Sequence, residues 1–212
     1  MANHLRLTLF LLISLFILVS CSQPEPIYSD DFSNADSGWD VFENASTSAN
    51  YNEGSYKINL KLKNQEKWIL ANQDFGNVAV EVDATRLNGT DDNSYGVVCK
   101  FQSIKQYYAV VISSDGAYMI EKRVGGVYQR LTGDYFELSD LIQKGSTLNR
   151  IRVECGQDYL ALFTNGKLVD RVEESEYLEG DVGSRAVGVG DADDNQQRQQ
   201  QRELAPRPPG RL

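Results

Sequence analysis

Tyr107-Tyr108-Ala109-Val110-Val111-Ile112-Ser113, the run YYAVVIS at 107–113, decides how this chain folds. Neither of its alternating faces is polar. As a strand it must be covered on both sides, which places it centrally in a sheet. Around it, several segments alternate with period two, the mark of half-buried strands. Tyr56, Ile58, Leu60 and Leu62 share one face, with Lys57, Asn59 and Lys61 on the other. Val78, Val80, Val82 and Ala84 alternate with Ala79, Glu81, Asp83 and Thr85, and Tyr95, Val97, Cys99 and Phe101 form a further row. Gly125-Gly126 and Asn165-Gly166 read as hairpin turns, the second the stronger. Residues 137–144 (ELSDLIQK) read as one short helical turn, and no long stretch has helical period. Between Pro26 and Pro206 there is no proline. Roughly ten to twelve short strands favour an all-β fold, a two-sheet antiparallel sandwich, with a closed barrel as the alternative. No repeat of fixed period supports a propeller.

The two ends read differently from this middle. Residues 1–20 have the form of a signal peptide: Arg6, then an apolar run from Leu7 to Val19 that is short for a bilayer span. Leu18-Val19-Ser20-Cys21 resembles the lipobox of bacterial lipoproteins. That resemblance implies cleavage before Cys21 and a lipid on its sulfur. The chain is then expected on the outer face of a cell membrane, or at an outer membrane, with residues 21–27 as tether. Residues 191–212 hold five Gln, four Arg and three of the five Pro, and no aromatic or β-branched residue. They read either as a disordered tail or as the product of a frame shift near residues 184–190. The sandwich domain is assigned to residues 28–190.

Charge and composition exclude several functions. The 212 residues carry 30 acidic and 21 basic side chains, a formal charge of −9. The tail's four acids match its four arginines, so the negative balance belongs to the domain. Without a basic patch, no nucleic-acid partner is expected. The single histidine, His4, lies in the leader, which leaves the domain without a His general base, a Ser-His-Asp triad or a His metal ligand.

The segments DDFSNADSGW (30–39), GSYKINL (54–60), VAVEVDATRLNGTDDNSYGVVCKFQ (78–102), YYAVVISSDGAYMIEK (107–122), NRIRVECGQDYLALFTNGKLV (149–169) and EGDVG (179–183) occur in an order with a precedent. Together they resemble the concanavalin A-like, laminin-G-like jelly rolls of bacterial surface lipoproteins. The nearest groups are 3-keto-disaccharide hydrolase-type domains and the small sandwich module of exo-inulinases. The resemblance implies a jelly roll that closes with a further strand after Asp181-Val182-Gly183, a strand this chain lacks if a frame shift replaced it. Three functions follow: a lipid-anchored module that binds carbohydrate or cell-envelope glycan without catalysis, a glycan-processing hydrolase, or a structural or protein-interaction domain. Once Cys21 is lipidated, export and the family-like strand positions pair Cys99 with Cys155 in a disulfide, with two separate buried thiols as the alternative.

Individual residues supply candidate chemistry. Glu81 and Asp83 point to one face of a strand. A retaining glycosidase of this fold class carries Glu-x-Asp-x-x-Glu, but here the final position is Arg86, so a solvated face is the expectation and no catalytic residue is assigned. Asp115 is the other carboxylate weighed, beside Ser113 and Ser114 in a turn. Asp30, Asp31, Asp91 and Asp92 are hard oxygen ligands suited to a structural Ca2+, with polar turns as the plainer reading. No other cofactor is expected. Tyr107, Tyr108, Tyr118, Tyr128 and Tyr135 are candidates to stack on sugar rings, at least half of them expected to be buried.

Overall fold

The computed structural model describes residues 26–188; the leader, Cys21 and the stretch 191–212 lie outside the described residues. Among the described residues, 26–31 carry no strand and the unit that begins at Phe32 holds fourteen. Strands β1 (Phe42–Glu43), β2 (Thr47–Tyr51) and β3 (Tyr56–Leu60) form a three-stranded sheet in that order. A seven-stranded sheet contains β4 (Gln65–Phe75), β6 (Ser94–Ser103), β7 (Gln106–Ser113), β8 (Ala117–Val124), β9 (Val127–Arg130), β10 (Glu137–Leu138) and β14 (Gly180–Gly188). Its order is β10-β8-β7-β6-β14-β4, with β9 also on β8. A four-stranded sheet has the order β13-β12-β11-β5, from β5 (Val78–Ala84), β11 (Asn149–Cys155), β12 (Tyr159–Thr164) and β13 (Lys167–Glu173). The neighbours β5, β11 and β12, and β6, β7 and β8, pair antiparallel.

The core lies between the two larger sheets. Val97, Cys99, Tyr108, Val110, Ile112 and Ile120 meet Ile151, Val153, Leu160 and Leu162 in one cluster of buried side chains. This is the all-β, two-sheet antiparallel jelly-roll sandwich that the alternation implies. Cys99 and Cys155 are bonded across it, with their Cα atoms 6.6 Å apart, so the disulfide staples β6 to β11. YYAVVIS is buried from Tyr107 to Ser113 and runs between β6 and β8. The two hairpin turns form as their residues dictate. Gly125, Gly126, Asn165 and Gly166 all have positive φ, as type I′ turns require.

Two segments differ from expectation. Residues 137–144 form no helix: Glu137 and Leu138 pair with Tyr118 and Ala117, the Ser139 N–H donates to the Gly116 carbonyl at 2.9 Å, and a single turn follows, closed by the Ile142 N–H donating to the Ser139 carbonyl at 3.3 Å. A sheet edge thus outcompetes the weak local helical pattern. The second concerns the stretch beyond Asp181-Val182-Gly183, where loss of the closing strand is one of the two readings. Gly180–Gly188 is one strand inserted between β4 and β6, with Val187 paired to Glu66 and Ser94. Small residues permit this. A Cβ on Gly183 would strike the Ile69 carbonyl oxygen, so β14 could not lie where it does with a larger residue there.

Candidate functional site

Strand alternation gives the seven-stranded sheet a second face, turned away from the core. Glu66, Trp68 and Leu70 on β4 project there, with Arg185 on β14, Gly96 and Val98 on β6, and Tyr107 and Ala109 on β7. Glu121 and Arg123 on β8 and Tyr128 on β9 complete the row. Trp68, Leu70 and Phe101 pack on Val98, Tyr107 and Ala109 in a small cluster of their own. Gly96 lies between Arg185 and Val111 in the ladder and presents no side chain, which leaves the Arg185 guanidinium room to cross the sheet.

That guanidinium organises the site. Its Nε donates to Glu66 Oε1 at 2.5 Å and its Nη1 donates to Glu121 Oε1. The three side chains are 7%, 21% and 11% exposed, so this is a largely buried carboxylate–arginine–carboxylate bridge. Burial opposes the charge on Arg185, yet Glu121 and Glu66 hold its pKa above the ordinary arginine value. The Tyr128 hydroxyl donates to both oxygens of Glu66, at 2.7 and 2.6 Å, and lies 3.3 Å from the Tyr107 hydroxyl. Burial, helped by Glu66 and resisted by Arg185, pushes the Tyr128 hydroxyl up, so it remains a proton donor at neutral pH. Arg123 stacks 3.9 Å from the centre of the Tyr128 ring.

Beside this polar half lies an aromatic one. Trp68 meets Tyr107 edge-on at 5.8 Å, and Phe101 stacks on Tyr107 at 5.4 Å. The Trp68 Nε1 and Arg123 Nε groups find no hydrogen-bond acceptor among the described residues. At the Tyr128 end, an open groove of ≈ 570 Å3 is lined by Tyr128, Arg130, Leu131, Thr132, Gly133 and Asp134. Arg130 Nη1 donates to the Asp134 carbonyl at 2.8 Å, which shapes its wall.

The residues singled out from sequence are dispersed. Tyr107 and Tyr128 lie on this second face, but Tyr107 is fully buried within it and only Tyr128, 39% exposed, is open to a sugar ring. Tyr108 and Tyr118 belong to the interior cluster, where their hydroxyls donate to Glu174 at 3.2 Å and Asp170 at 3.0 Å. Tyr135 is 41% exposed, in the segment after β9. Glu81 and Asp83 lie on the far side of the molecule's core, on β5. Arg150 donates to both Asp83 oxygens, at 2.7 and 2.6 Å, and lies 3.8 Å from Glu81. That hydrogen bonding holds the Asp83 carboxyl below its ordinary range. Asp91 is bonded by Arg86 and borders a second hollow of ≈ 350 Å3 with Ser114, Asp115, Leu138 and Lys144. Asp92 is buried, and Asp30 and Asp31 precede the strand-bearing unit. Among the described residues, no group of three or more His, Cys, Asp or Glu is placed to hold a metal ion.

Glu66, Glu121 and Arg185 were not legible as a site. The signal that could have found them is a charge at an alternating position beside aromatics: Glu66 before Trp68, and Glu121 between Met119 and Arg123.

No protein-family model and no curated protein matches the sequence. Solved structures do. The chain is similar to the carbohydrate-binding module CBM66 from Bacillus subtilis, with a TM-score of 0.57 and 15% identity, over 73% of this chain and 93% of that one. It is similar to a Bacillus licheniformis β-glucanase, with a TM-score of 0.52 and 9% identity, over 78% of this chain and 86% of that one. A third is the GH43 protein BlXynB from Bacillus licheniformis, with a TM-score of 0.52 and 12% identity, over 81% of this chain and 38% of that one. At these identities the likeness establishes a shared jelly-roll fold.

Proposed function

We propose that this protein binds carbohydrate on the second face of its seven-stranded sheet, without catalysis. One observation carries the reading: the Glu66–Arg185–Glu121 bridge is built on the face that the core does not use. A buried ion triad is weak support for stability, since apolar residues of similar size hold a sheet equally well. Fixed polar groups around the exposed ring of Tyr128 are instead what a polyhydroxyl ring needs. The likeness of the fold to a carbohydrate-binding module supports the same reading.

Hydrolysis is the second reading, favoured by the likeness to a β-glucanase. It needs one carboxylic acid free to protonate the leaving group and another free to attack or to activate water. Glu66 and Glu121 are instead both engaged by the guanidinium between them. In the proposed arrangement Cys21 carries the lipid, and residues 22–27 tether the sandwich to the outer face of a membrane.

A glycan array probed with the full chain, held in detergent because of its apolar leader, tests the proposal. Saturable binding with no release of reducing ends is expected. Turnover of a bound glycan would make the protein an enzyme, and an array silent at millimolar ligand would reject carbohydrate binding.

A further inference from the structure

Seven arginines lie among the described residues, and five of them, Arg86, Arg150, Arg152, Arg171 and Arg185, form ion pairs. Arg123 and Arg130 form none, although the domain has carboxylates in excess. These two are neighbours. Arg123 on β8 stands opposite Tyr128 on β9, and Glu121, two residues earlier on β8, stands opposite Arg130. Arg123 and Arg130 are thus diagonal partners on the second face, with backbones roughly 7–8 Å apart and long side chains within reach of each other. The carboxylates around them are engaged elsewhere or turned aside. Glu66 and Glu121 bind Arg185, and Asp134 meets Arg130 through its carbonyl oxygen, not its carboxylate. Two adjacent guanidiniums with no anion between them repel each other, and a bound anion would relieve that repulsion.

We propose that the sugar bound on this face is a uronic acid, its carboxylate held by Arg123 and Arg130 beside the exposed ring of Tyr128. The inference rests on the carbohydrate reading above and names the chemistry of the ligand. The groups left open decide that chemistry. Among the described residues of this face, the buried polar side-chain atoms without a partner are Trp68 Nε1 and Arg123 Nε, and both are donors. The ligand must therefore bring acceptors. A carboxylate brings two in one plane, which match the fork of a guanidinium, and its hydrogen bonds to arginine are about twice as strong as those of a neutral hydroxyl. The negative balance of the domain opposes this little, because exposed charges more than about 8 Å away are largely screened at physiological salt.

Calorimetric titration of the full chain in detergent tests this. The probes are oligomers of galacturonate, mannuronate and glucuronate, each beside its carboxyl-reduced neutral counterpart, with a sulfated galactose oligomer as a further arm. At least one acid oligomer is expected to bind about tenfold tighter than its reduced counterpart, the worth of one charge-assisted hydrogen bond. Arg123→Gln and Arg130→Gln are each expected to bring that ratio down towards parity. Arg130 is exposed, so its replacement spares the fold and the thermal melt should not move. An acid and its reduced counterpart that bind alike overturn the inference and leave the carbohydrate reading standing. A preference for the acid that survives both substitutions overturns it too, as does binding of the sulfated oligomer alone. Silence of all three uronate series overturns it outright, and only a silent glycan array as well would remove the reading beneath it.

Discussion

At the scale of single residues, Arg185 determines whether the second face is stable at all. Removing it leaves Glu66 and Glu121 as largely buried carboxylates without a cation. Arg185→Leu is therefore expected to destabilise the fold by about 3–5 kcal/mol in urea denaturation. The combined Arg185→Leu, Glu66→Leu, Glu121→Leu variant is expected to recover most of that loss, because no charge is stranded, and yet to bind no glycan. Were the triple variant as unstable as the single one, the triad would be holding the sheet together rather than recognising a ligand. The sequence conceals this site for a physical reason. Each of the three residues is unremarkable within its own strand, and only the sheet order brings β4, β14 and β8 to one patch. Arg185 is further disguised because it stands in the stretch 184–190, where a frame shift is one of the readings.

At the scale of elements, the alternation of apolar residues translated directly into strands. Val97 and Cys99, Val110 and Ile112, and Ile151 and Val153 all face the core, because a half-buried strand has no other way to place its apolar side chains. Short pieces were less legible. The pair Glu137–Leu138 is a strand only because β8 offers it an edge, and no local pattern of two residues can announce that. One tie between elements makes a pH prediction. Lys122 on β8 bridges to Glu174 at 2.9 Å and Glu176 at 2.6 Å, just beyond β13. Burial works against Glu174, but the Lys122 hydrogen bond holds its carboxyl below 4.5, and the same pairing, opposed by burial, raises Lys122 above 10.5. The Glu174 contribution is therefore complete above its unfolded pKa and is lost as pH falls through the lower folded value. The Lys122 contribution is complete below 10.5 and is lost as pH rises through its raised value. Lys122→Met is expected to cost about 1–3 kcal/mol, nearly constant from about pH 6 to 9, and the difference should close below about pH 4. A difference that persisted unchanged at pH 3 would assign the loss to packing instead.

At the scale of the whole molecule, the sandwich uses its two faces differently. The outer face of the four-stranded sheet spends its charges in exposed pairs such as Arg150–Asp83 and Arg152–Glu154, which stabilise little. The outer face of the seven-stranded sheet concentrates buried charge and aromatic surface in one patch. Fold class was legible from alternation and turns because these are local. The division of labour between the faces was not, because it depends on which strands become neighbours. Indole NMR distinguishes the two sides cleanly. Trp68 lies in the proposed site, while Trp39 packs with Phe32 and Tyr56 at the three-stranded sheet. In full chain labelled with 15N and titrated with the array's best glycan, the account predicts a progressive, saturable shift of the Trp68 indole N–H with the Trp39 signal unmoved. A saturating ligand that moved Trp39 and left Trp68 in place would contradict it.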